Sequence, residues 1–150
     1  MLELRRTPVS VVGVFASPDA LGALAPAGAH RCRVAPDEAM FVAGPDDRVA
    51  LVRDASAVTA GDPDAVVLDT TDGWTAWTLH GERAREGFSR LSELELPESG
   101  YTQGDVAHVP VRVIVTSDGL QLLVPAMWGE YLRQRLLERC AGLGVREVQA

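Results

Sequence analysis

Along the chain, short runs of aliphatic and β-branched residues alternate with amphipathic stretches, and their spacing predicts a succession of strands and helices. Residues 9–15 are dense in valine and read as a buried strand. Ser17 and Pro18 then supply an N-cap and a first-turn proline, which predicts a short helix through about residue 24, ended by Pro26 and Gly28. Strands over 30–34 and 38–42 flank a turn at 35–37. A helix opens at Gly44-Pro45 and runs to about residue 58, with Val49, Val52 and Ser56 on one face. After a turn-rich loop at 59–64, the continuous apolar run at 65–69 reads as a buried strand.

The second half repeats that order. A strand over 75–80 precedes a helix from 82 to about 94, with Ala84, Phe88 and Leu91 at core spacing. A polar loop is predicted at 97–105 and a long strand at 106–115. An Asp-Gly turn follows, then a strand over 120–124. Pro125 opens the longest helix, 126–143, and the last strand covers 145–148. Both halves read β-α-β-β-α-β, the ferredoxin-like order. The stretch from Asp37 through Pro45 echoes the one from Asp118 through Pro125. The expected fold is therefore α+β, with two ferredoxin-like units as pseudo-repeats over about 8–70 and 74–149. Each is too small to leave its sheet bare, so the two are expected to share one domain, 1–150.

Composition narrows the possible functions. The 150 residues are 47% hydrophobic and 23% charged, as in a folded globular chain, with a net charge of −7. An acidic chain is a poor partner for nucleic acid, and no apolar run is long enough for a membrane span. The first residues lack the layout of a signal peptide, so a cytoplasmic location is expected. All 14 basic residues are arginine, which excludes Schiff-base and P-loop lysine chemistry. Cys32 and Cys140 are far apart, and His30, His80 and His108 stand singly, so no metal site is expected.

No nucleophile elbow, Walker A loop, dinucleotide-binding glycine fingerprint or zinc-protease helix is present, and no catalytic residue is assigned. The most distinctive stretch runs from Asp69 to Trp77. Asp69 and Asp72 at the end of a strand either bind a polar ligand or build an aspartate turn that Gly73 completes. Among only eight aromatic residues, Trp74, Trp77, Trp128 and Tyr131 are candidates for either the core or a protein interface. Tyr101 lies in a polar, glycine-rich stretch that is a candidate contact loop.

The residues also carry a family resemblance. The stretch from Val66 to Gly73, then Thr78 to Leu91 with its Leu-x-Gly-x-x-Ala turn, is similar to aminomethyltransferase-like folate-binding domains. The stretches from Ala35 to Val42, Tyr101 to Val113 and Leu122 to Leu132 most resemble the gamma subunit of heterotetrameric sarcosine oxidase. Thr71 stands where that pattern has serine. The resemblance implies an accessory subunit with neither catalytic residues nor a cofactor of its own. It would serve an oxidase or dehydrogenase of N-methylated amines, with FAD, FMN, NAD, folate and zinc on the larger partner subunits. The alternative it implies is a stand-alone tetrahydrofolate-binding protein of one-carbon metabolism. There Asp69 and Asp72 would approach the pterin or the amine, and arginines would pair with the glutamate carboxylate of folate.

Overall fold

A computed structural model describes residues 1–149. The elements are β1 (Leu2–Arg6), β2 (Ser10–Phe15), α1 (Pro18–Ala23), β3 (His30–Ala35), β4 (Glu38–Ala43), α2 (Arg48–Val58), β5 (Val66–Asp69), β6 (Trp74–His80), α3 (Ala84–Ser89), β7 (Gly100–Val106), β8 (Val109–Thr116), β9 (Gly119–Pro125), α4 (Gly129–Arg139) and β10 (Val145–Val148). The architecture is α+β with two sheets. The chain divides into two units, one formed by Val9–Thr71 and the other by Met1–Pro8 with the chain from Asp72 onward.

In the Val9–Thr71 unit the four strands lie in the order β3-β4-β2-β5, each antiparallel to its neighbours. Ser17 caps α1 by accepting from the Ala20 amide at 3.2 Å, with Pro18 in the first turn. Both helices pack on the sheet face that carries Val12, Val14, Phe41 and Val67. α2 meets this core through Leu51 and Ala55, with Val52 at its margin, whereas Val49 is 78% exposed. The buried stripe is thus shifted from the expected Val49–Val52–Ser56 face. A single turn of 3-10 helix over Pro45–Asp47 precedes α2 and rotates its register relative to a helix begun at Gly44. β5 also departs from expectation, because it is an edge strand and its run of apolar residues is largely exposed.

In the other unit the order is β10-β1-β6-β9-β8-β7. Its core joins Leu2 and Leu4 of β1 to Leu79, Phe88, Val113, Leu122, Leu132 and Leu136. Two strands here were not expected. β1 is a short Leu-Glu-Leu-Arg alternation that buries both leucines between β6 and β10. β7 takes the place of the expected polar loop and pairs along its whole length with β8. It is an edge strand of the sheet, and each of its residues before Val106 is exposed or half-buried, so few of its positions call for apolar side chains. The turn between them is Ala107-His108, both at positive φ (50° and 70°), a conformation for which glycine or asparagine is the usual signal.

The helices of this unit are shorter than the periodicity predicts. α3 stops at Ser89 because the chain after it serves other partners. The Leu91 carbonyl accepts from the Ala107 amide at 2.8 Å, and the Ser92 hydroxyl donates to the Asp105 carbonyl at 2.6 Å. Leu91, Leu94 and Leu96 then cover the core as an irregular segment. The expected helix over 126–143 resolves into a 3-10 turn at Ala126–Trp128, α4, and a second 3-10 turn at Ala141–Leu143, ended by Gly144 at φ 70°.

Candidate partner interface

Asp69 closes β5, and its carboxylate is consumed within its own unit. One oxygen accepts from the Thr71 hydroxyl at 2.7 Å and from the Thr71 amide at 3.1 Å, and the other accepts from the Arg48 Nε–H. The Arg48 hydrogen bond, followed by those of Thr71, holds the Asp69 carboxyl below its ordinary range. These contacts are those of an aspartate turn tied down by an arginine. Asp72 is exposed in the 3-10 turn Thr71–Gly73. Among the described residues, no group of three His, Cys, Asp or Glu side chains is placed to hold a metal ion.

The aromatic candidates separate by burial. Trp77 is a core residue. Its ring is buried, and its Nε1–H donates to the Gly129 carbonyl at 2.9 Å, so it offers nothing to a partner. This follows from the pleat, since Trp77 shares its face of β6 with Leu79, toward α4. Trp74, on the opposite face, is half-buried, with the Arg112 guanidinium 5.6 Å from its ring centre. Arg112 also donates to the Tyr101 hydroxyl at 3.1 Å and to Gln103. Trp74, Tyr101, Gln103 and Arg112 therefore form a cross-strand cluster over β6, β7 and β8. Trp128 is 40% exposed beside Met127 at 81%, and packs edge-on against Tyr131 at 5.8 Å. Tyr131 is anchored, because its hydroxyl donates to the Ala107 carbonyl at 2.7 Å.

A partly exposed apolar patch of the Val9–Thr71 unit went unpredicted. Phe15 lies opposite Val66, and Gly13 lies opposite Leu68, so these side chains share the sheet face away from α1 and α2. Phe15, Val66 and Leu68 are 39%, 44% and 48% exposed. Val66 and Leu68 sit on β5, whose outer edge has no strand beside it, and Phe15 on the neighbouring β2. Exposed apolar residues on an open strand edge are the physical signature of a protein contact. The signal lay in the apolar run 65–69, which an interior strand and an interface strand carry alike.

No protein-family model matches the sequence. No curated protein matches it either. Solved structures do resemble it. A chain of the heterotetrameric sarcosine oxidase from Corynebacterium sp. U-96, determined with pyrrole 2-carboxylate, is 18% identical with a TM-score of 0.81. The match covers 98% of this chain and 87% of that one. The glycine cleavage system aminomethyltransferase T from Bartonella henselae is 16% identical with a TM-score of 0.74, over 98% of this chain and 47% of that chain. The regulatory subunit of aspartate kinase from Thermus thermophilus is 12% identical with a TM-score of 0.56, over 92% of this chain and 95% of that one. At these identities the likeness is one of fold. The two-sheet α+β arrangement is that of the sarcosine oxidase chain and of part of the aminomethyltransferase. Among the described residues, no helix is long and apolar enough to cross a membrane.

Proposed function

We propose that this chain is an accessory, gamma-type subunit of a hetero-oligomeric oxidase or dehydrogenase of sarcosine or a related N-methylated amine, acting in the cytoplasm. The observation that carries the reading is the end-to-end likeness to a chain of the heterotetrameric sarcosine oxidase, over 98% of one and 87% of the other. By contrast, the match to the aminomethyltransferase spans less than half of that enzyme. In this reading FAD, FMN and NAD belong to larger partner subunits, and the chain contributes binding surface rather than chemistry. The Phe15–Val66–Leu68 edge and the Met127–Trp128 turn are the surfaces that suit such a role.

The same reading treats the two units as a duplicated pair. β3-β4-β2-β5 is the ferredoxin-like order for a β-α-β-β-α-β chain, and leaving β1 and β7 aside turns the other sheet into the matching β10-β6-β9-β8. The test is affinity purification of the tagged chain from its host. Recovery of defined larger subunits with flavin absorbance is the expected outcome. A solitary, colourless protein that binds tetrahydrofolate by calorimetry would replace this reading with the folate-binding one.

A further inference from the structure

A groove of about 770 Å³ runs between α4 and the segment that follows α3, closed at one end by the Ala107-His108 turn. It lies wholly in the unit formed around β6–β10 and plays no part in the partner surfaces above. Three arginines line it. Arg135 and Arg139 stand four apart on one side of α4, and Arg90 reaches in from the other wall. The Arg90 guanidinium lies so near the end of α4 that a methyl group built on Gly142 would come within 3.3 Å of its Nη1.

The groove has more cationic donors than the protein uses. Glu86, the carboxylate next to Arg90, is already held in a two-point bond by Arg83 at 2.9 and 3.0 Å. Arg90 is left a 3.8 Å contact. Arg135 pairs with Glu138 through Nη2 at 2.8 Å, but its Nε–H is buried with no acceptor. Such a donor ordinarily has a partner. Arg139 has no carboxylate within ion-pair distance among the described residues. Leu91, Leu94 and the ring of Tyr131 give the groove an apolar wall, and Arg135 stacks 5.4 Å from that ring.

The Ala107-His108 turn that lines the groove is held in a costly conformation. Ala107 and His108 are both at positive φ, and Ala107 is fixed from both sides, its amide by Leu91 and its carbonyl by Tyr131. Glu93 and Asp105 stand on the rim, and neither is in an ion pair among the described residues. Their repulsion grows with ligand charge, so they select against a polyphosphate more strongly than against a single carboxylate or phosphate monoester.

We propose that this groove binds a small molecule with one oxyanion headgroup, a carboxylate or a phosphate monoester, on a flat apolar body. Arg90, Arg135 and Arg139 would hold the headgroup, and Leu91, Leu94 and Tyr131 would receive the body. The test is NMR titration of the whole chain with benzoate, phenyl phosphate and, as a cationic control, benzylamine, read on the arginine Nε–Hε signals. Saturable shifts confined to Arg90, Arg135 and Arg139 are expected with at least one anion and not with benzylamine. Whichever anion binds more tightly names the headgroup. Arg139→Gln, at an exposed position, should weaken binding about tenfold, the loss expected for one charge-assisted hydrogen bond. Arg53→Gln, in the other unit, should leave it unchanged. Non-saturating shifts spread over all exposed arginines, or an affinity untouched by Arg139→Gln, would overturn the proposal.

Discussion

The two units differ in strand number, four in one sheet and six in the other, and they also manage their sheet edges differently. Around β6–β10 the edges are polar. β7 ends the sheet on one side with tyrosine, glutamine and aspartate. On the other side, Arg146 of β10 bonds Glu3 of β1 at 2.8 Å, and Arg133 of α4 grips Glu147 through Nε and Nη2 at 2.6 to 3.0 Å. In the Val9–Thr71 unit the β5 edge instead leaves Val66 and Leu68 in the open beside Phe15. Guarding an edge with charge disfavours pairing with foreign chains, and leaving it apolar invites contact. One unit thus ends its sheet in polar strands, whereas the other leaves an apolar edge open.

Truncating the two cores gives the largest expected effect. Phe88→Ala and Phe41→Ala each empty a fully buried ring site, at a cost of about 3–5 kcal/mol. Native-state hydrogen exchange should show the first lowering protection in β6–β9 and the second in β2–β4. Protection lost equally everywhere in both variants would erase the division into units.

The glycines sharpen the contrast next. Gly81 sits at φ 123°, and a Cβ there would lie 2.1 Å from the Met1 carbonyl oxygen. Gly81→Ala should therefore cost more than about 2 kcal/mol and loosen β1. At Gly13, at the centre of β2, a Cβ would meet only the Leu68 carbonyl oxygen, at an ordinary contact distance of 3.9 Å. Gly13→Ala should stay within about 0.5 kcal/mol of the parent in chemical denaturation.

Acid should affect both units through the same physics. Hydrogen bonds from Arg48, Arg146, Arg83 and Arg133 lower the carboxyls of Asp69, Glu3, Glu86 and Glu147 respectively. A carboxyl depressed in the folded state contributes stability that is complete above its unfolded pKa. That stability fades as the pH falls through its folded pKa. Stability should thus fall below about pH 4. Asp69→Asn should flatten part of that slope while leaving the part due to the glutamates around β1, α3 and β10. An unchanged slope in thermal melts across that range would contradict the assignment.

The smallest expected effect on folding is the most telling for the partner reading. Leu68→Glu, at a half-exposed position, should change stability by no more than about 0.5 kcal/mol. It should nevertheless remove co-purifying subunits in the affinity experiment. Full retention of those subunits would move the contact away from β5.

Most strands could be read directly from the residues. Valine-rich and alternating stretches at 9–15, 38–42, 75–80 and 120–124 coincide with β2, β4, β6 and β9 to within a residue, because side chains on a pleated, half-buried surface enforce that pattern. β1 was readable but overlooked, its two leucines being a brief signal beside Arg5 and Arg6. β7 carried no apolar signal, since an edge strand can be held by the hydrogen bonds of its neighbour alone. Of the candidate site residues, Asp69 could be understood locally, because its partner Thr71 is two residues away. Trp77 could not be told from Trp74 until the pleat assigned their faces. The arginine groove was hidden for a different reason. Arg135 and Arg139 show a helical spacing, but Arg90, at the C-terminal cap of α3, is distant in sequence and only the fold brings it to them.

The placement of β1 bears on how the chain acquires its structure during synthesis. Leu2 to Arg5 pair with Val145 to Val148, so β1 gains this neighbour only after the whole stretch between them has been made. The Val9–Thr71 unit closes on itself well before that. Its two ends are joined where the Thr70 amide donates to the Val11 carbonyl at 2.9 Å and the Val11 amide to the Thr71 hydroxyl at 3.0 Å. It is an insertion that can mature as a loop hanging from an unfinished host. During that interval its apolar β5 edge is already formed, while the leucines of β1 still lack the strands that bury them. In the accessory-subunit reading, a partner captured by that edge is engaged before β10 has been made.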